Sequence, residues 1–323
     1  MSERSAIQWT QATWNPVTGC DRVSPGCAHC YAAKMAARLK EMGNARYQKD
    51  GGSASGLGFG VALHPDLLDL PLRWKKPRMI FVNSMSDLFH EEVPDDFIDR
   101  VFATMALAPR HTFQVLTKRP TRMHDWSLRT LSGAQREHLV FDSALLTLRH
   151  QWRKLGRVAW PGWPLPNVWL GVSAENQRWA DQRIPLLLET PAAVRFVSLE
   201  PLLGPVDLRC WLPPFGAGWT DRPNLSWAIC GGESAGPAKR RLVEWCGCTY
   251  SLGRGGRCSP LQDCDDCGGA GWQSKPHALE WVRNIRDQCV AAGVPFFFKQ
   301  WGGPRPKAGG ALLDGREWRE VPA

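Results

Sequence analysis

Seven short runs of apolar, β-branched and aromatic residues recur along the chain, each closed by a polar cluster and followed by a helical or irregular stretch. They are Ile7 to Trp14, Met79 to Asn83, Thr112 to Thr117, Val168 to Ser173, Val194 to Leu199, Ser226 to Gly231 and Pro295 to Lys299. Several are apolar nearly throughout rather than alternating, the pattern of parallel strands covered on both faces. Helices are predicted between them over Tyr31 to Met42, ended by Gly43, over Asp95 to Ala108, ended before Pro109, and over His277 to Ala292, ended by Gly293. The expected fold is α/β: a full or partial β/α barrel of mostly parallel strands, with an open doubly wound sheet as the alternative.

Two stretches interrupt the alternation. Leu128 to Pro166 contains Trp160-Pro161-Gly162-Trp163-Pro164 and reads as a surface excursion. Leu242 to Lys275 is rich in Gly and Cys, carries too little aliphatic content for a core, and needs a metal to fold. The expected division is a barrel-like catalytic domain over 1–241 and 276–323, with a Cys-rich, zinc-ribbon-like insertion over 242–275. With 323 residues, 43% of them hydrophobic, the chain is globular rather than disordered. No run approaches the roughly 18 apolar residues of a membrane span, and Met1-Ser2-Glu3-Arg4-Ser5 lacks the apolar core of a secretion signal. A cytoplasmic protein with no membrane partner is therefore expected. Forty basic against 31 acidic side chains leave a net charge of +9, which suits a polyanion such as nucleic acid. The 17 tryptophans offer flat faces for bases as well as core volume, core packing being the commoner use.

Without a secretion signal, the 11 cysteines are most simply metal ligands plus a few buried thiols. Cys210, Cys230 and Cys289 stand alone in apolar surroundings, and the rest cluster twice. Cys20-x6-Cys27-x2-Cys30 follows the first strand and precedes the first helix, with Pro25-Gly26 turning the chain between ligands. Three thiolates near a helix N-terminus can hold three irons of a cubane 4Fe-4S cluster and leave the fourth open. The alternatives are a zinc site completed by His29 or by a distant residue, or simple buried thiols. Cys246-x-Cys248-x15-Cys264-x2-Cys267 is close to a four-cysteine zinc ribbon. Cys258 is left over; it can replace one ligand, or join Cys264 and Cys267 around a second iron-sulfur cluster. Lys239, Arg240, Arg241, Arg254 and Arg257 in or beside that segment offer a grip on a nucleic-acid backbone, or a merely solvated loop.

A β/α barrel carries its chemistry where strands end. Here the ends hold Asp87 with His90, Lys118 with Arg119, Glu175 with Asn176, Glu200, Glu233 with Ser234, and Lys299 with Gln300. Taken singly, each is an ordinary loop residue: Glu200 before Pro201 can cap a strand, and His90 can start a helix. Gly231-Gly232-Glu233-Ser234 lacks the lysine and spacing of a phosphate loop, so ATP hydrolysis is not expected; its glycines let a ligand approach the backbone.

Trp14-Asn15-Pro16-Val17-Thr18-Gly19-Cys20, Ser24-Pro25-Gly26-Cys27, Cys30-Tyr31, Ser84-Met85-Ser86-Asp87-Leu88-Phe89-His90, Leu116-Thr117-Lys118-Arg119-Pro120, Glu200-Pro201-Leu202-Leu203-Gly204, Gly231-Gly232-Glu233-Ser234 and Phe297-Phe298-Lys299-Gln300-Trp301-Gly302 span nearly the whole chain. Together they resemble the phage- and prophage-associated three-cysteine-motif family, which in turn resembles divergent radical S-adenosylmethionine enzymes. The resemblance implies a 4Fe-4S cluster on Cys20, Cys27 and Cys30, with S-adenosylmethionine on the open iron. Reductive cleavage would yield a 5′-deoxyadenosyl radical that abstracts hydrogen from a substrate, with an electron donor as partner. The usual spacing in that class is Cys-x3-Cys-x2-Cys, and its Gly-Gly-Glu element follows the second strand. Here Gly231-Gly232-Glu233 follows the sixth, and the second ends in Asn83-Ser84-Met85-Ser86-Asp87.

On this reading the catalytic candidates are Asp87, Lys118, Glu200 and Lys299. Candidate cofactor contacts are Asn83, Ser84, Arg119, Glu175, Asn176, Gly231, Gly232, Glu233, Ser234 and Gln300, acidic groups taking the ribose or ammonium and Lys118 with Arg119 a carboxylate or phosphate. The leading expectation is a radical enzyme acting on a nucleic acid or nucleotide. A non-catalytic protein that binds nucleic acid, with zinc in both clusters, is the second. An ordinary barrel enzyme using Lys118, Glu200 or Lys299 as acid or base is the third. Substrate, reaction outcome and oligomeric state are not set by the sequence.

Overall fold

The computed structural model describes residues 5–53, 55–129, 162–213, 223–234, 237–245, 250–252, 258–260, 272–304 and 308–322. All seven apolar runs form strands of one sheet: β1 (Ala12–Trp14), β2 (Met79–Val82), β3 (Thr112–Thr117), β4 (Val168–Ser173), β5 (Val194–Leu199), β6 (Trp227–Gly231) and β7 (Phe296–Gln300), in that spatial order. The two edge strands are not paired with each other, so this is a partial β/α barrel of parallel strands and not a closed one. The helices that follow are α1 (Tyr31–Glu41), α2 (Asp95–Ala106), α3 (Pro120–Leu128), α4 (Gln177–Glu189) and α5 (Pro276–Ala291).

Composition explains why these segments are strands. Every residue of Val168–Ser173 and of Trp227–Gly231 is buried, as a strand covered on both faces requires. The first strand is shorter than its apolar run because the chain turns before it, with Thr10 N–H donating to the Ile7 carbonyl. Register is parallel throughout the pairs β1–β2 (Trp14 opposite Val82), β2–β3 (Val82 opposite Val115), β3–β4 (Thr117 opposite Val172) and β6–β7 (Cys230 opposite Phe298). Between Phe298 and Gln300 the register shifts, so Lys299 sits at a bulge. Such irregularities re-aim a side chain at the end of a strand.

The chain divides into two compact units. The first comprises Met1–Ser173, Asp181–Val197 and Arg222–Leu225; the second comprises Ala174–Ala180, Ser198–Asp221 and Ser226–Ala323. In the first, Trp14, Phe113 and Phe196 are fully buried, and a Cβ on Gly171 would meet the Phe196 ring at 2.5 Å. In the second, Trp227, Phe296 and Phe298 are fully buried. Each such ring contributes about 2–3 kcal/mol by leaving water. Trp9, Trp14, Trp74, Trp126, Trp169, Trp227 and Trp301 are buried and serve the packing. Cys230 and Cys289 are buried thiols as expected, but Cys210 is exposed, because the short helical turn Arg209–Trp211 lies at the surface. No helix among the described residues is long and apolar enough to cross a membrane. Residues 130–161 of the excursion, and Cys246, Cys248, Arg254, Arg257, Cys264 and Cys267, lie outside the described residues. Cys258 falls in a short strand, Cys258–Pro260.

Candidate metal centre

The first cysteine loop is built from backbone outward. After β1 the chain makes two ladder pairs, Val17 with Leu63 and Thr18 with Ala62, and then reaches Gly19 at φ 90°. A Cβ there would lie 2.2 Å from the Gly60 carbonyl oxygen, so glycine is required both for the conformation and for the contact. Gly19 N–H donates to the Met85 carbonyl (3.0 Å), Ser86 Oγ donates to the Val17 carbonyl (2.8 Å), and Cys20 N–H donates to the Phe59 carbonyl (3.2 Å). The Asn83-Ser84-Met85-Ser86 turn after β2 and the 51–60 glycine-rich loop thus clamp Cys20 from two sides. Pro25–Cys27 forms a short helical turn, and Cys30 occupies the N-cap position of α1. Cys20 and Cys30 pack against one apolar cluster of Ala32, Ala36, Tyr47, Phe59 and Met85.

Cys20 also meets a buried guanidinium. Arg119 Nη1 donates to Cys20 Sγ (3.4 Å) and lies 3.5 Å from Asp87 Oδ2, and Arg119 Nη2 donates to the Asp21 carbonyl (3.4 Å). Burial, with the Asp87 carboxylate second, pushes the Cys20 thiol up to about 12, against the pull of Arg119. The thiol is therefore protonated at neutral pH unless a metal displaces the proton.

Asp87 is the hub of this arrangement. Its carboxylate accepts from Phe89 N–H (3.0 Å), Thr117 Oγ1 (2.7 Å) and Lys118 N–H (3.0 Å), beside Arg119. A carboxylate so saturated holds the ends of β2 and β3 together rather than moving protons. Lys118 Nζ donates to Ser173 Oγ (2.6 Å) at the end of β4. Ser84 joins the loop clamp, its Oγ donating to Asn15 Oδ1 (3.2 Å). Asn83 differs from all of these. It is 2% exposed, adopts φ 60°, and neither amide atom has a hydrogen-bond partner. A strained backbone and an orphaned buried amide at a strand end are the marks of a site shaped for a polar ligand.

Asp21, beside the first cysteine, was not singled out by the sequence. Its carboxylate takes His90 Nε2 (3.2 Å) and Ser55 Oγ, and His90 Nδ1 accepts Glu92 N–H (3.1 Å). Among the described residues, Asp21, His90 and Glu92 form the set whose ligand atoms all lie within 4.8 Å of one another. Because His90 Nδ1 is the acceptor, Nε2 carries the proton and points it at Asp21, so the ring offers no lone pair to an ion there. Cys20, Cys27 and Cys30 do not form such a set, although all three thiols are free.

The second unit carries its own polar set. Lys299 Nζ lies 2.9 Å from Glu200 Oε1, and a Cβ on Gly231 would meet that same oxygen at 2.7 Å. Arg240 holds Glu233 through two 2.9 Å bonds, and Gln300 Nε2 donates to Ser234 Oγ (2.8 Å). Gly232 lies under the Trp301 carbonyl, which a Cβ would meet at 2.0 Å. These glycines thus admit protein atoms rather than a ligand. Asn176 Oδ1 accepts Trp179 N–H in the first turn of α4, a capping role, and Glu175 is fully buried.

Residues 4–249 and 266–322 match the model of a family described as a protein of unknown function, DUF5131, and the chain belongs to that family. No curated protein and no solved structure was found to match it.

Proposed function

We propose that the protein is an iron-sulfur enzyme of the radical S-adenosylmethionine kind, in which Cys20, Cys27 and Cys30 hold a 4Fe-4S cluster. The observation that carries this reading is the loop of three free thiols that follows β1, with its last cysteine at the N-cap position of α1. Held by Cys20, Cys27 and Cys30 and reduced by an external electron donor, such a cluster would supply the one electron for reductive cleavage of S-adenosylmethionine to methionine and a 5′-deoxyadenosyl group able to take hydrogen from a substrate.

The chain's own residues support this in three ways. Arg119 places a positive N–H on Cys20, which stabilises the thiolate and orients it. Asp87 fixes Arg119 and ties β2 to β3. Asn83, with its unpaired amide, is the residue best suited to a polar group of the nucleoside or amino acid portion. In the second unit Glu200 and Glu233 are neutralised by Lys299 and Arg240, so they bind a ligand only after giving up those partners. A net charge of +9 supports a nucleic acid or nucleotide as substrate, and the phage- and prophage-associated resemblance agrees with it. Zinc in the Cys-rich segment belongs to the same reading. The test is incubation of anaerobic, dithionite-reduced protein with S-adenosylmethionine. Formation of 5′-deoxyadenosine and methionine is expected, abolished in Cys20→Ala; absence of both from iron-loaded protein overturns the reading.

A further inference from the structure

We infer that the solvent face of α1 docks an acidic electron-transfer protein, the donor that the reading proposed above requires. The partner's identity rests on that reading, while the surface itself does not depend on the cluster. The helix buries Ala32 and Ala36 against the core. Lys34, Met35, Arg38 and Met42 fall on the opposite side, since spacings of three, four, seven and eight return to one face. All four are exposed, Met42 at 70% and Met35 at 44%. Tyr31 Oη donates to the Ser84 carbonyl (2.6 Å), which ties the start of the helix to the turn after β2.

Three observations select the occupant. The first is position. Cys30 is the N-cap of α1, Lys34 N–H donates to its carbonyl (3.3 Å), and Arg38 lies about 12 Å from Cys30 along the axis, at 1.5 Å per residue. Electron transfer slows steeply with distance, so a donor must seat beside the thiols it serves. The second is charge. Lys34 and Arg38 lie one turn apart with no carboxylate partner among the described residues, whereas Lys40 on the same helix is paired with Asp50. Glu41 is the one acid of the helix and sits at its far end. The loop between Cys20 and Cys27 repeats the combination of cation and apolar residue with exposed Arg22 and Val23. Unmatched cations at an interface rim steer a partner of opposite charge. The third is apolar content. Met35 and Met42 offer adaptable apolar contact between the cations, and an apolar centre with a charged rim is the build of a small, transient interface of the electron-transfer kind. A nucleic-acid backbone would satisfy the cations, but methionines give its bases no flat face. A second copy packed face to face would set Lys34 and Arg38 against like charges.

The test uses an acidic plant-type 2Fe-2S ferredoxin as donor and the full chain as acceptor. In the transfer the donor is oxidised by one electron and the acceptor reduced by one, with no bond made or broken. Calorimetry of the oxidised ferredoxin with metal-free and iron-loaded protein reads binding, and stopped-flow oxidation of the reduced ferredoxin by iron-loaded protein reads delivery. Both are expected to weaken as salt rises. Lys34→Glu with Arg38→Glu is expected to lower affinity and second-order rate roughly tenfold at low salt, with reduction by dithionite unchanged. Lys34→Gln with Arg38→Gln, which removes the charges without reversing them, lowers both less and flattens the salt dependence. Lys75→Glu with Lys76→Glu, two exposed cations ahead of β2, leaves both unchanged. Native-like affinity and rate in the Lys34/Arg38 variants overturn the inference. So does displacement of the ferredoxin by oligothymidylate at lower concentration than by polyglutamate, which would mark a nucleic-acid face. Failure of iron-loaded, dithionite-reduced protein to cleave S-adenosylmethionine, with ferredoxin binding through Lys34 and Arg38 intact, removes the radical reading and leaves the docking face standing.

Discussion

Arg119 is the residue on which the cysteine loop depends most. Its guanidinium is 7% exposed and shared between the Cys20 sulfur and the equally buried Asp87, so removing it takes the ion-pair partner from a buried carboxylate and the donor from the Cys20 sulfur. Arg119→Met should cost roughly 3 kcal/mol, read as a lowered Tm, and should reduce bound iron even where the variant stays folded. Iron content equal to native would remove Arg119 from the site. The Cys20 thiol makes a second expectation. Burial raises its titration to about 12, so in metal-free protein it resists iodoacetamide at pH 8 and becomes reactive only as pH climbs toward that value. Peptide mass mapping checks this, and rapid labelling of Cys20 at neutral pH would contradict it. The sequence singled out both residues but not their pairing. Cys20 and Arg119 meet across 99 positions of sequence, and Asp21 is one acid among many until His90 is seen on its carboxylate.

At the scale of elements, the loop after β1 is held by a glycine that nothing else can replace. Gly19→Ala places a Cβ on the Gly60 carbonyl in a backbone region that disfavours it, so the loop must move. The variant is expected to keep the far-ultraviolet circular dichroism of the fold while losing metal. Retained metal would show that the clamp is dispensable. The C-terminal turn gives a pH prediction. Asp314 lies between Arg283 and Arg286 of α5, and its hydrogen bond from Arg283 holds the carboxyl below the usual range. That stability is present above the unfolded carboxylate value and lost as pH falls through the folded one. Asp314→Asn should lower Tm by about 2 °C at pH 7, while the two proteins converge in acid; an undiminished gap at low pH would refute the pairing. Elements were the most legible level of this chain. Val168–Ser173 and Trp227–Gly231 announce themselves because a strand covered on both faces must be apolar throughout. Helix ends at Gly43 and Gly293 followed from left-handed caps, seen at φ 74° and 66°.

For the whole molecule, the partial barrel places the polar strand ends in two sets, one in each compact unit, around Arg119 in the first and Glu200 and Glu233 in the second. The sequence marked most of these residues but not their pairings. Strand-end position is a local property, whereas a buried ion pair such as Glu200 with Lys299 depends on which strand ends lie side by side. For the same reason Asn83 looked like one polar residue of a motif, and only the fold reveals that its amide is buried and unanswered. For Cys20, Cys27 and Cys30 the spacing admits both zinc and an iron-sulfur cluster. The most direct measurement is iron and acid-labile sulfide per chain in protein purified without oxygen. About four of each is expected, lost together in the Cys20, Cys27 and Cys30 alanine variants. Zinc without iron, even after anaerobic reconstitution, would contradict the account.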